Sequence, residues 1–130
     1  MLELLSQGFA IAFQPLNIGL VIAGCALGLF IGAMPGLGSV NGVAILLPMT
    51  FIVPPTGAII FLAAIYYGAM YGGAISSIML GIPGASTAVA TTFDGRPLAL
   101  KGEADRALIL AAGASFIGGT ISVVLFTLFA

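Results

Sequence analysis

The stretch GAMPGLGSVNGVAILLPMTF, Gly32–Phe51, interrupts an apolar sequence with residues that disfavour a continuous helix. It holds two prolines and four glycines, together with an asparagine, a serine and a threonine. Pro35 removes a backbone donor and disfavours helical geometry at Met34. Gly36 and Gly38 permit backbone conformations that other residues rarely adopt. A helix that enters this stretch is therefore predicted to break within it.

The surrounding chain is too apolar for a water-soluble domain. Of its 130 residues, 61% are hydrophobic and only 5% are charged, whereas soluble domains carry about 25% charged residues. No Asp, Glu, Lys or Arg lies between Glu3 and Asp94. Because one crossing needs about 20 apolar residues, this uncharged stretch predicts an integral membrane protein with several crossings or part-crossings.

The composition also argues against several classes of function. The chain has no His, so it cannot form a Ser–His or zinc–His site by itself. Asp94 and Asp105 both lie in the short charged stretch, which leaves no aspartyl pair within a membrane span. The single Cys25 cannot form an internal disulfide, and no basic surface for nucleic acid is present. We therefore expect a protein that is not an enzyme, has no catalytic residue and holds no cofactor.

The apolar pattern predicts one all-α integral membrane domain with several transmembrane helices. An interfacial helix is predicted at residues 1–15, transmembrane helices at 16–34 and 56–80, and a loop followed by a third transmembrane helix at 98–130. The segments 35–55 and 81–97 each contain a Pro-Gly pair and are predicted to be broken, either discontinuous or re-entrant. The chain stops inside an apolar run, which predicts that it is the N-terminal portion of a larger protein.

Small residues in the first span predict close helix packing. Gly24, Gly28, Gly32 and Gly36 recur at every fourth position and would share one helix face. Such a face lets the backbone of another helix approach closely.

The few basic residues predict the orientation of the chain. Arg96, Lys101 and Arg106 all fall between Asp94 and the end of one short loop. Basic residues in short loops favour the cytoplasmic side, so we predict that residues 94–106 face the cytoplasm.

The two broken segments are also the candidate binding site. Irregular backbone is tolerated at membrane depth only where protein covers it or where it lines a wet cavity, and paired interruptions point to a transporter site. Exposed helix N-termini favour anions, and free carbonyls favour cations such as Na⁺ near Pro35 and Pro83. The alternative is that each Pro-Gly pair is only a turn at the membrane surface. The predicted substrate-binding residues are Gly36, Gly38, Ser39, Asn41, Gly84, Ala85, Ser86 and Thr87.

Two long motifs resemble one known family. The stretches PGLGSVNGVAILLPMTF and YYGAMYGGAISSIMLGIPGASTAVATTFDGRPLALKGEADRALILAAGASFIGGT are similar to the N-terminal part of the large membrane subunit of tripartite tricarboxylate transporters, the TctA family. The resemblance covers residues 24–120. It implies a multi-pass subunit of a secondary importer in the bacterial inner membrane, a symporter expected to use sodium. It also implies a carboxylate substrate such as citrate, a small membrane subunit and a periplasmic solute-binding protein as partners.

This chain departs from the family pattern close to the candidate site. Gly81 stands before Ile-Pro-Gly where the family usually has Asn, and Ala85-Ser86 follows where Glu or Thr is common. Both changes remove side-chain ligands and leave the particular carboxylate open. The alternative function is a truncated scaffold that only packs against partner helices. A channel is a third option, although no charged or aromatic ring of pore type is visible.

Overall fold

The structure, a computed structural model, describes residues 2–129. All regular structure in this range is helical, which confirms the predicted all-α class with two Pro-Gly breaks. Two short 3-10 helices lie at Leu47–Ile52 and at Ser86–Ala88. The α-helices are α1 Leu2–Ala12, α2 Pro15–Ala33, α3 Gly38–Leu46, α4 Pro55–Leu80, α5 Val89–Leu100 and α6 Ala104–Phe129.

Three of these helices, α2, α4 and α6, are long and apolar enough to cross a membrane. Pro15 and Pro55 stand in the first turns of α2 and α4. Proline suits that position because its missing N–H would have no partner inside the helix. With proline as their first residue, α2 and α4 begin one residue before the spans predicted at 16–34 and 56–80.

The main packing contact joins α2 to α4 through glycine. A methyl group placed on Gly24 would lie 2.8 Å from the Phe61 carbonyl oxygen and from the Ala64 Cβ. One on Gly28 or on Gly32 would collide with the backbone of α4. All three glycines are buried, so this face of α2 touches α4 backbone to backbone.

The glycines of α4 make the same kind of close contact with the backbone of α2. A methyl group on Gly68 would lie 2.5 Å from the Cys25 carbonyl oxygen, and one on Gly72 would lie 2.5 Å from the Leu29 carbonyl oxygen. Residue numbers rise together along the two helices, so α2 and α4 run in the same direction. The chain between them must therefore return over the same height.

The return path is α3 together with the 3-10 helix Leu47–Ile52. At about 1.5 Å per α-helical residue and 2.0 Å per 3-10 residue, this path covers roughly 26 Å, close to the length of α2. Gly42 lies against Ile31, where an added methyl group would be 3.0 Å from the Ile31 Cγ2. The predicted broken segment 35–55 is therefore a turn followed by a discontinuous helical return.

Gly36 does not belong to the packing face, contrary to the four-residue spacing. α2 ends at Ala33, and Met34 has the extended backbone that a following proline favours. A methyl group on Gly36 would meet nothing within 4 Å, and its φ of 84° places it in a turn. The glycine repeat therefore has two roles, packing up to Gly32 and chain reversal at Gly36.

The connection between α4 and α5 is re-entrant. Gly81 ends α4 in the left-handed conformation, with a φ of 72°. The chain then folds back until Gly84 lies against Gly73, more than two turns earlier on α4. The Ser77 hydroxyl donates to the Ala88 carbonyl at 3.1 Å, where the chain turns into α5.

α5 then runs parallel to α4 toward the C-terminal end of α4. Gly95 packs on Ile78, where an added methyl group would lie 2.6 Å from the Ile78 Cγ1. The Arg96 guanidinium donates to the Met79 carbonyl, which places a cation at the C-terminal end of α4. The chain therefore passes down beside α4 as a non-helical segment and returns along it as a helix.

The helical part of this region is longer than the sequence analysis predicted. The segment 81–97 was predicted to be broken, yet residues 89–100 are helical and only 101–103 form the loop before α6. A glycine cap ends α5: Gly102 donates to the Ala99 carbonyl and Glu103 to the Leu98 carbonyl, each at 3.0 Å. Gly102 has a φ of 84°, as this cap requires.

The outer helices α1 and α6 are attached at few points. Asn17, which is buried, donates to the Ile11 carbonyl at 2.7 Å and so ties the end of α1 to the start of α2. The Tyr71 hydroxyl donates to the Leu108 carbonyl at 3.1 Å, near the start of α6. Tyr67, one turn before Tyr71 on α4, lies beside Ser115 and Gly119 further along α6, so α6 runs opposite to α4. The rest of α6 is largely exposed. The interfacial position of residues 1–15 stays a prediction.

The glycine contact yields a test within one helix. We expect Gly28→Ala to lower the amount of assembled, detergent-stable protein, because the methyl group would collide with the α4 backbone at Ile65. Gly19→Ala is the matched control, since nothing lies within 4 Å of that position. Fluorescence-detected size exclusion of both variants measures the effect, and equal yields of the two would contradict the role of the contact.

Candidate substrate-binding cavity

A cavity of about 380 Å³ lies where the two breaks meet the middle of α4. Its walls come from the α2–α3 turn with the first turn of α3, from the α4–α5 connection, and from one face of α4. We call it the central cavity. Its lining residues are Gly36, Leu37, Gly38, Ser39, Val40, Asn41, Tyr66, Met70, Pro83, Gly84, Ala85, Ser86 and Thr87.

All eight predicted substrate-binding residues line this one cavity. The two groups are far apart in sequence and come from different breaks, so the fold brings them together. Their role in binding stays a prediction, whereas their common location is a property of the fold.

Gly84 allows the second break to reach the cavity. A methyl group there would lie 2.5 Å from the Gly32 carbonyl oxygen, 2.7 Å from the Gly73 Cα and 2.8 Å from the Ser76 Oγ. The chain at Gly84 thus threads between the end of α2 and the middle of α4. Gly38 of the first break faces the Gly84 carbonyl oxygen, 3.8 Å from where its Cβ would stand. The two breaks therefore meet through glycine backbone.

Two helix starts face the central cavity. α3 begins at Gly38, and the 3-10 turn Ser86–Ala88 leads into α5. Neither start has a side-chain cap, at Leu37 or at Ala85. The first N–H groups of a helix have no partner inside it and carry partial positive charge. The cavity wall therefore offers backbone donors from two directions.

The polar side chains add hydroxyl groups to these donors. Ser39 is buried, and its hydroxyl donates to the Met70 Sδ at 3.5 Å. The Thr87 hydroxyl donates to the same sulfur at 3.7 Å. Ser86 is exposed and lines the same wall.

Asn41 also lines the cavity, but part of its amide is used locally. The Asn41 Nδ2 donates to the Leu37 carbonyl at 2.6 Å, within the first turn of α3. This bond belongs to the local alternative, in which the asparagine satisfies its own backbone. The second N–H of the amide is still a possible donor to a ligand.

No Asp, Glu, Lys or Arg lines the central cavity. A ligand there would interact with neutral polar groups, namely backbone dipoles, amides and hydroxyls. Any cation bound beside the ligand would depend on carbonyl and hydroxyl oxygens, the ligands that hard cations prefer.

Two lining residues, Tyr66 and Met70, lie outside the two segments in which the sequence placed the site. They stand four residues apart on α4, and Gly73 follows three residues later. These spacings place them on one helix face, the face that meets the α4–α5 connection. That spacing was visible in the sequence, but nothing in it showed that both breaks pack against this face.

Comparison with known proteins identifies the family. Residues 18–130 match the sequence model of the Tripartite tricarboxylate transporter TctA family. The chain is 42% identical over 121 residues to a protein of Agrobacterium vitis described as "Uncharacterized 52.8 kDa protein in TAR-I ttuC' 3'region". The match covers 93% of this chain and 24% of that protein, so the chain spans about a quarter of its relative's length.

No solved structure matches the chain. The family match extends over the two breaks and all three long helices, and it agrees with the resemblance that the sequence motifs indicated. The chain belongs to the Tripartite tricarboxylate transporter TctA family, whose members are membrane components of transporters.

Proposed function

We propose that this chain forms part of the transmembrane subunit of a secondary carboxylate importer, and that the central cavity binds a carboxylate group of the substrate. One observation carries the proposal: two uncapped helix starts line the same cavity. Helix N-termini bind carboxylates because their unpaired N–H groups point at the anion. The backbone donors would be the N–H group of Gly38 at the start of α3, together with those of Gly36, Gly84 and Ala85 in the irregular chain just before the two helix starts.

The neutral lining of the cavity bears on the ion that accompanies the substrate. A multiply charged carboxylate gains nothing from a basic side chain here, because none lines the cavity. A sodium ion held by carbonyls near Pro35 and Pro83 would lower the electrostatic cost of the anion. The binding of each would then favour the other, which is the coupling that a symporter requires.

The remaining components of the transporter lie outside this chain. We propose that it works in the bacterial inner membrane with a small membrane subunit and a periplasmic solute-binding protein. Because the chain spans about a quarter of its relative, further helices would complete the walls of the site. A scaffold that only packs against partners would give no reason for two breaks to meet around a cavity of about 380 Å³.

Hydroxyl removal tests the placement of the site. We expect Ser39→Ala and Ser86→Ala each to weaken carboxylate binding about tenfold or more, since a hydrogen bond to a charged group contributes about 1.5–3 kcal/mol. Binding of labelled di- and tricarboxylates, with and without sodium, to the complete transporter measures this. Thr127→Ala is the control, because that hydroxyl bonds only within α6, to the Val123 carbonyl.

Asn41→Ala separates the two roles of the asparagine. If the Asn41 amide binds the ligand, the variant transporter should lose affinity for carboxylate or sodium. If the amide bonds only to the Leu37 carbonyl, the variant should yield less folded protein, with the affinity of that protein intact. Unchanged affinities for the Ser39, Asn41 and Ser86 variants together would rule out the central cavity as the carboxylate site.

Cysteine accessibility tests the orientation. Glu103 is the suitable labelling position in the loop, because it is exposed and because a side chain at the neighbouring Gly102 would be strained by the left-handed backbone there. In a Cys25→Ala background, we expect Glu103→Cys to resist an impermeant thiol reagent applied to intact cells. Gln14→Cys should react, because Gln14 lies just before α2, at the end of the helices opposite to Glu103. The reverse pattern would place residues 94–106 outside the cytoplasm.

A further inference from the structure

The side chain of Met70 joins the two breaks across the central cavity. Its sulfur accepts the Ser39 hydroxyl at 3.5 Å and the Thr87 hydroxyl at 3.7 Å. Ser39 belongs to the first turn of α3, and Thr87 to the turn before α5. One thioether on α4 therefore contacts a hydroxyl from each break, and both hydroxyls border the cavity in which a carboxylate is proposed to bind.

These two hydrogen bonds determine what the hydroxyls present to a ligand. A hydroxyl has a single proton, so one that donates to sulfur has only lone pairs left for other partners. Lone pairs repel a carboxylate oxygen. For Ser39 and Thr87 to donate to an anion, both hydroxyls must first break their hydrogen bonds to the Met70 sulfur.

We propose that Met70 is a positioning residue of the carboxylate site. Its sulfur accepts hydrogen bonds from the Ser39 and Thr87 hydroxyls while no carboxylate is bound, and both hydroxyls turn to donate to a carboxylate that enters. The inference rests on the proposed function, because it assigns a role within the same cavity. It names a residue that the sequence motifs did not single out.

A thioether suits this role because it is a weak acceptor. Ser39 is 5% exposed, and a buried hydroxyl without any partner is costly. The sulfur reduces that cost in the empty site, yet it competes only weakly with a charged carboxylate oxygen, which accepts stronger hydrogen bonds. A carbonyl or carboxylate at this position would hold the protons too firmly.

The experiment is a mutant cycle on the complete transporter. Met70→Leu keeps an apolar side chain of similar size and removes the acceptor. We expect it to tighten the binding of labelled carboxylate by about two- to tenfold, as the loss of a competing neutral hydrogen bond implies. In a Ser39→Ala/Thr87→Val background the same change should have no effect, because no hydroxyl proton is left to release.

The control stands on the same helix. Met79 is half-exposed and does not line the cavity, so Met79→Leu should leave the affinity unchanged. Norleucine in place of methionine removes sulfur with almost no change of shape, and it should reproduce the tightening even if Met70→Leu folds poorly. That tightening should not occur in a protein that already carries Met70→Leu.

The outcomes separate this inference from the proposed function. If the unmodified transporter binds no carboxylate, the proposed function fails and the role of Met70 fails with it. If the unmodified transporter binds but Met70→Leu is neutral or weaker, only the role of Met70 is overturned. A tightening that persists in the Ser39→Ala/Thr87→Val background would also overturn it, because the effect would then bypass the hydroxyls.

Thermal unfolding without ligand gives a second readout. Met70→Leu should lower the melting temperature of the empty transporter, because the Ser39 hydroxyl loses its acceptor. It should not lower the melting temperature in the Ser39→Ala/Thr87→Val background. Equal shifts in both backgrounds would show that the sulfur acts by packing and would overturn the proposal.

Discussion

The backbone contact between α2 and α4 is the constraint on which the rest of this structure depends. Gly28 and Gly68 remove the side chains that would hold the two helices apart, so each backbone touches the other. In lipid there is little hydrophobic force between helices, and close van der Waals packing has to hold them together. The contact also sets the directions: two parallel helices require a connection that returns over their full height.

That requirement explains the first break. The chain must reverse after Ala33 and descend beside α2 before α4 can begin. The second break has a different geometry, because the chain re-enters the helix layer and leaves on the same side. Both place irregular backbone at the depth of the middle of α4, where unpaired polar groups would be costly in lipid. Gly84 shows how this cost is reduced, since it is buried against Gly32 and Gly73.

The same geometry gives the central cavity its chemistry. Helix starts from both breaks border it, while no charged side chain within residues 2–129 does. The charged residues lie in α1, within α5, in the loop that follows and in the first turn of α6. The lining is neutral overall and rich in donors. In a low-dielectric setting, fixed dipoles of this kind stabilise an anion without the desolvation cost of burying a lysine or arginine. Met70 adds an acceptor that the two hydroxyls can leave at small cost.

Much of this protein was determined by the sequence itself. The long uncharged stretch required a lipid-embedded helical fold, and Pro35 and Pro83 marked where the helices break. The backbone needs of proline and glycine are local, so they can be read without a fold. The cap at Gly102 is equally local, yet the nearby charges favoured a longer loop at this position.

Tertiary structure alone decided which segments meet. Nothing in the pattern of residues 81–97 separates a surface turn from a re-entrant connection, because the difference lies in whether Gly84 packs against Gly73. The fourth-position repeat could not separate Gly36 from Gly32, since both fit one helix face until the helix ends. Tyr66 and Met70 read as ordinary apolar positions of α4. Only the packing of both breaks on one side of that helix turned this face into a cavity wall.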